Sequence, residues 1–154
     1  MFVRPMIGVF AFALIGLSAC APTDAQTPPA AAQPQLIPLE VKTAKGVLRY
    51  NVEIATTAQQ QAQGLMFRTS LLERRGMIFP MTPPRFASFW MKNTLIPLDI
   101  IFIRPDRTIE SIAANAVPQD LTPLNSGEPV SAVLEIAGGK AAELGIAPGD
   151  TVSW

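Results

Sequence analysis

The sequence contains no histidine and a single cysteine, Cys20. A histidine-dependent catalytic triad is therefore excluded, as is a structural zinc site of the usual Cys/His kind. One cysteine also rules out any disulfide within the chain. Net charge is missing too, because 12 basic residues balance 12 acidic ones. Nothing in that balance favours nucleic acid or wholesale adsorption to a charged surface as a partner, and a monomer is expected. No sequence repeat and no regular βαβ alternation is present, which argues against a solenoid or a doubly wound sheet.

What charge there is lies unevenly. Arg68, Arg74, Arg75, Arg85 and Lys92 face one acid, Glu73, in the stretch they span, whereas Glu110 to Asp150 holds six acids and only Lys140. Such charges are expected mostly on a solvated surface. The alternative is a locally positive rim suited to an anionic ligand or partner.

The first 20 residues read as an address. Arg4 precedes an apolar run from Ile7 to Leu17, and small residues follow. This is the pattern of a secretory signal, too short to span a bilayer comfortably as a permanent helix. Leu17-Ser18-Ala19-Cys20 also matches a bacterial lipobox, with the only cysteine at the position that receives the lipid. Cleavage after Ala21 to release a soluble periplasmic or secreted protein is the alternative. The expected location is the cell envelope, on the periplasmic side of the outer membrane and attached only through the lipid. Residues 21–36 are rich in Pro, Ala, Thr and Gln, a composition that cannot bury enough apolar surface to order itself and reads as a tether. The folded domain is expected over 37–154.

Within that domain, apolar alternation and turn residues predict strands over Leu39–Thr43 and Val47–Ile54, joined by a turn at Ala44-Lys45-Gly46. Thr56 or Thr57 caps a helix over Ala58–Gln63 that Gly64 ends, and Leu71–Arg75 predicts one more helical turn. Further strands are expected over Gly76–Pro80, where proline closes the strand, and over Phe86–Met91, with Ala87, Phe89 and Met91 on one side and Phe86, Ser88 and Trp90 on the other. Leu98–Ile103 is apolar on nearly both faces and should be central. Thr108–Ala113 and Val130–Ala137 predict two more strands, Lys140–Leu144 a short helix capped by Gly145, and Thr151–Trp154 a last strand. The fold class is thus mainly β: a compact β-sandwich or barrel with one or two short helices.

Several of these residues resemble a known family. Gly64-Leu65-Met66-Phe67-Arg68, Gly76-Met77-Ile78-Phe79, the block from Phe89-Trp90-Met91-Lys92-Asn93 through Pro97-Leu98-Asp99 to Phe102, Val133-Leu134-Glu135 and Gly149-Asp150 are similar to the signature of the DUF192 (UPF0127) family. The resemblance extends from about Val41 to Trp154. It implies a small β-rich domain, often exported, with no settled biochemical function.

Candidate sites follow from polar residues set in apolar runs, which must find a partner in the fold or face a ligand. Asp99, between Leu98 and Ile100, needs donors. Lys92 and Arg68 are the natural ones, either as an internal ion pair that fixes strand register or as an acid–base pair lining a pocket. Glu135 is expected to face solvent. Should it share a cavity with Asp99, the two acids would suit a carboxylate-dependent hydrolase or transferase acting on envelope material. Trp90, Phe89 and Phe67 are core aromatics or a stacking floor. Met66, Met77, Met81 and Met91 are core filler or, in a further reading, thioether ligands for copper. The leading expectation is an accessory module that binds a small ligand or an envelope protein through Arg68, Trp90, Lys92, Asn93 and Asp99 and needs no cofactor.

Overall fold

Thr57 and Gly64 show how local chemistry sets the first helix, and the position of that helix sets the rest. A computed structural model describes residues 35–154. The expected signal segment, Cys20 and nearly all of the tether lie outside the described residues. Strand β1 (Leu36–Thr43) turns through Ala44 and Lys45 into β2 (Gly46–Ile54), with Thr43 opposite Gly46. The first helix, α1 (Ala58–Gln63), starts on a reciprocal capping box. The Thr57 side chain accepts from the Gln60 N–H and the Gln60 side chain accepts from the Thr57 N–H. It then carries the chain across to β3 (Arg75–Arg85), which runs parallel to β2, so α1 is the crossover that a parallel pair requires.

The remaining elements are β4 (Ser88–Phe89), β5 (Leu98–Ile103), β6 (Ile109–Ala116), β7 (Leu124–Asn125), β8 (Val130–Ala137), α2 (Lys140–Leu144) and β9 (Thr151–Ser153). Seven strands form one mixed sheet in the order β6-β5-β8-β3-β2-β1-β9, and β4 pairs with β7 in a separate ribbon. Thr151 bridges Thr108 beside β6, the Val152 N–H donates to the Arg107 carbonyl, and the Ile109 N–H donates to the Asp150 carbonyl. These bonds join the last strand in the order to the first and close the sheet into a barrel, the device that removes exposed edges. The expected compact β fold with two short helices is therefore present.

Two cores follow from the period of two in the strands. Val41, Val52, Ile78, Ile101, Leu134, Ile136 and Val152 fill the closed side, and Ala141 of α2 with Ile146 packs against them. Ile100, Phe102, Val133, Met77 and Phe79 point the other way and build a second core with Leu65, Ala87 and Met91. All six residues of β5 are buried because both of its faces are covered.

Three local expectations need correction. Leu71–Arg75 makes a turn rather than a helical one, with Arg74 at φ 58°, and Gly76 sits inside β3. A Cβ at Gly76 would lie 2.4 Å from the Glu135 carbonyl, so close strand approach is the reason for that glycine. Pro80 does not end its strand. Pairing of β2 with β3 stops at Ile78, and the Pro80 carbonyl accepts from the Gln61 side chain at that vacated edge, where a missing N–H costs nothing. Finally, Phe86–Met91 contributes only a two-residue strand, although Ala87 and Met91 are buried and Phe86 and Trp90 exposed as the alternation predicts.

Candidate functional site

The site is built on the outward-facing row that crosses the middle of the sheet. Registers place Glu53 of β2 beside Met77 of β3, Met77 opposite Glu135 of β8, and Glu135 opposite Ile100 of β5. Glu53 and Glu135 therefore project from the same face on either side of Met77, about 10 Å apart at two strand spacings.

Their surroundings differ. Glu53 takes a two-pronged ion pair from Arg68, Nη1 to Oε1 and Nη2 to Oε2, both 2.6 Å. Glu135 is 5% exposed, and its Oε2 has no hydrogen-bond partner. Burial in these apolar surroundings pushes its pKa up from 4.5 to about 8, so the carboxyl group holds its proton at neutral pH.

Above Glu135 lies a cleft of about 430 Å³. One wall is α1 and the turn after it, contributing Gln61, Gln63, Gly64 and Met66. Gln61 fastens this wall by donating to the carbonyls of Ala55 and Pro80, each at 3.1 Å. The opposite wall is the segment Arg85–Trp90, held by Ser126, whose Oγ accepts from the Ala87 N–H and whose own N–H donates to the Ala87 carbonyl. Phe79 and Phe89 meet edge to face with ring centres 5.2 Å apart, and Met81, Leu65 and Thr94 complete the lining. Phe86 and Trp90 stand exposed at the lip. Gly64 keeps the cleft open over the acid. A Cβ there would come within 3.4 Å of the Phe79 ring and 3.8 Å of Glu135 Oε2, and its φ of 50° suits glycine.

Glu135 is thus not solvent-facing, contrary to expectation. Its strand does alternate, but the polar-looking face is covered by α1 and the 85–90 segment. Asp99 is not joined to Arg68 or Lys92 and does not line the cleft. It pairs in register with Ile136, the neighbour of Glu135, so it projects from the opposite side of the sheet. Fully buried, it accepts from the N–H groups of Asn115 (2.7 Å), Gly139 (2.9 Å) and Ala141 (2.7 Å), fixing the start of α2. Asp99 and Glu135 therefore cannot work as a carboxylate pair. Arg68 is occupied by Glu53. Lys92 lies over the Trp90 ring, 5.1 Å from its centre. Asn93 adopts φ 55° in a turn and accepts the Phe67 N–H through its carbonyl. Of the ligand-binding residues expected from sequence, only Trp90 lines the cleft; Phe89 also does, and Phe67 does not. Among the methionines, Met66 and Met81 line it, whereas Met91 is buried in the core beneath and Met77 separates the two acids. No group of three or more His, Cys, Asp or Glu side chains suited to a metal occurs among the described residues.

A second cavity of about 150 Å³ lies between Tyr50, Leu71–Arg75 and Leu144. There the Arg74 guanidinium sits 5.5 Å from the centre of the Tyr50 ring, and burial raises the tyrosine pKa. It is smaller than the cleft over Glu135 and carries no buried acid.

The family model DUF192, described as an uncharacterized ACR, matches residues 39–154. A crystal structure of a protein of unknown function from Novosphingobium aromaticivorans DSM 12444 is 53% identical, covers 80% of this chain and 89% of its own, and superposes with a TM-score of 0.78. Another, from Sinorhizobium meliloti 1021 and provisionally described as a transcription regulator, is 38% identical over 80% of this chain and 97% of its own, with a TM-score of 0.77. No curated protein matches the chain.

Proposed function

This chain belongs to the DUF192 family, and from the cleft over Glu135 we propose that it is a small-ligand-binding domain held at the cell envelope by a lipidated Cys20. The observation that carries the binding reading is a buried, unpartnered carboxyl group at the floor of an aromatic-lined cleft. A concave site that sets aromatic walls beside a few converging polar groups and one perturbed acid is a common form of a ligand site. Hydrolysis by a carboxylate pair is disfavoured, since Glu135 is the only acid among the lining residues. The charged rim expected from sequence reduces to Arg85, the only basic lining residue.

A thermal-shift screen of the full chain against amines, carboxylates, sugars and nucleotides tests the binding reading. A true ligand at a hundredfold excess over Kd adds ~2.7 kcal/mol, or roughly 10 °C for a domain of this size. That rise should vanish in Trp90→Ala. Flat melting curves across all four classes would remove the proposal.

Membrane attachment is supported by the Leu17-Ser18-Ala19-Cys20 sequence. Among the described residues no helix is long and apolar enough to cross a bilayer, and the attachment proposed is through the lipid on Cys20. Cells fed a labelled fatty acid should incorporate it into the wild-type chain and not into Cys20→Ser. Label retained by the variant would refute lipidation at this residue.

A further inference from the structure

Glu135 constrains what the cleft can hold. Resting on the cleft-binding reading, we propose that the ligand is a zwitterionic primary amine, whose ammonium group pairs with the Glu135 carboxylate at the floor and whose anionic end meets Arg85 at the rim. Three observations carry the assignment.

First, Glu135 Oε2 is sealed from solvent with no donor, while its neighbour Glu53, on the same face of the same sheet, has its cation in Arg68. A buried carboxyl group is satisfied by a cation with hydrogen-bond donors, and the fold supplies one to Glu53 alone. Second, the walls between floor and lip include the rings of Phe79, Phe89 and Trp90. Aromatic faces attract an ammonium group and favour it over an anion or a bulky neutral polar group. Third, the charges of the cleft are separated. Arg85 and Glu135 are its only ionisable lining residues, and Arg85 makes no ion pair among the described residues. Arg85 is paired in register with Val130, five residues from Glu135 along β8, or about 16 Å of strand. With both side chains lining the space between, a short alkyl chain joins the two ends of the ligand.

Binding then moves one proton. In the empty cleft the acid is neutral below about pH 8. An ammonium group arriving at the Glu135 carboxyl group favours the carboxylate, so the Glu135 proton passes to solvent and an ion pair forms in its place. Glu135 is the only acid among the lining residues. Beyond the lining, Glu53 on the far side of Met77 is paired with Arg68, and Lys92 lies over the outer Trp90 ring.

Calorimetric titration of the full chain with 6-aminohexanoate, hexylamine and hexanoate separates the contributions. The amino acid should bind tightest, hexylamine more weakly, and hexanoate weakest. At pH 6.5, comparing buffers of different ionisation enthalpy, both amines should release close to one proton per ligand, falling toward zero at pH 9. Glu135→Gln, checked for folding by its melting curve, should weaken both amines at least tenfold and abolish proton release. Arg85→Gln should bring 6-aminohexanoate down to the level of hexylamine. Amine binding without proton release, or binding retained by Glu135→Gln, would overturn the assignment. If neither amine binds but a sugar or nucleotide gives a Trp90-dependent thermal shift, the cleft remains a ligand site and only the ammonium assignment falls. If nothing shifts, both fall.

Discussion

Glu135→Gln should make the folded domain more stable than wild type at pH 8, by several kcal/mol, and should flatten its dependence on pH. The sign follows from proton counting. In the unfolded chain Glu135 ionises near 4.5, and in the folded chain burial raises this to about 8. Between those values the native state holds a proton that the unfolded state has lost, so stability falls as pH rises. At about 1.4 kcal/mol per pH unit, the whole interval amounts to about 4–5 kcal/mol, with about 3 kcal/mol already lost at pH 7. Below pH 4.5 the acid is protonated in both states and the penalty disappears. Urea denaturation of both proteins at each pH from 4.5 to 9 checks this. Parallel curves would mean that Glu135 reaches water or a partner in the native state.

An acid that weakens its own fold calls for a reason. Leucine at 135 would fill the same position among Phe79, Met77 and Ile100 with no such penalty. Destabilising groups at open clefts are where stability gives way to function. This is the energetic counterpart of the amine assignment. A cation bound at the Glu135 carboxyl group lowers its pKa and restores in the complex much of the stability that the empty cleft lacks, so ligand stabilisation should itself grow between pH 6 and 8.

Features governed by neighbours in sequence were legible. Thr57 and Gly64 bound α1 because capping acts within a single turn, and the burial of β5 on both faces follows from its apolar residues on both. Alternation bounds β8 at Val130–Ala137, yet it directs Glu135 to solvent. Alternation separates the two faces of a strand but cannot say that the second is also covered. Here the cover comes from α1 and Arg85–Trp90, distant in sequence. Glu53 is hidden from the sequence for the same reason, since it occupies the polar phase of β2 and its partner Arg68 lies beyond the crossover helix. Arg68, Lys92 and Asp99 stand out together as polar residues in apolar runs, but a shared pattern in sequence is not adjacency in space. Asp99 departs furthest from expectation, because its partners are backbone N–H groups, which leave no trace in residue type.

Those backbone contacts make Asp99→Ala the most damaging single change expected in the described domain. Its Oδ1 accepts from Asn115 and Gly139 and its Oδ2 from Ala141, which ties the end of β6 and the start of α2 to the start of β5. With Asp99 fully buried, alanine leaves these donors without their acceptor and opens space where water is poorly placed to substitute. An orphaned buried donor costs about 1–3 kcal/mol, and the three relax together rather than independently, so a loss of about 3–5 kcal/mol is expected. That is a large part of the ~5–15 kcal/mol that holds a typical domain. Asparagine tests the assignment more finely. Its one oxygen can serve Asn115 and Gly139, but its amide turns a donor toward the Ala141 N–H, so Asp99→Asn should fall between alanine and wild type. Denaturant titration orders the three proteins. Alanine within about 1 kcal/mol of wild type would show that the contacts to α2 are dispensable. Because Asp99 and Glu135 lie on opposite sides of the sheet, the folded fraction of either variant should keep the wild-type response to ligands of the cleft. A selective loss of that response in a well-folded Asp99→Asn protein would instead mean that the two faces are coupled through β5 and β8.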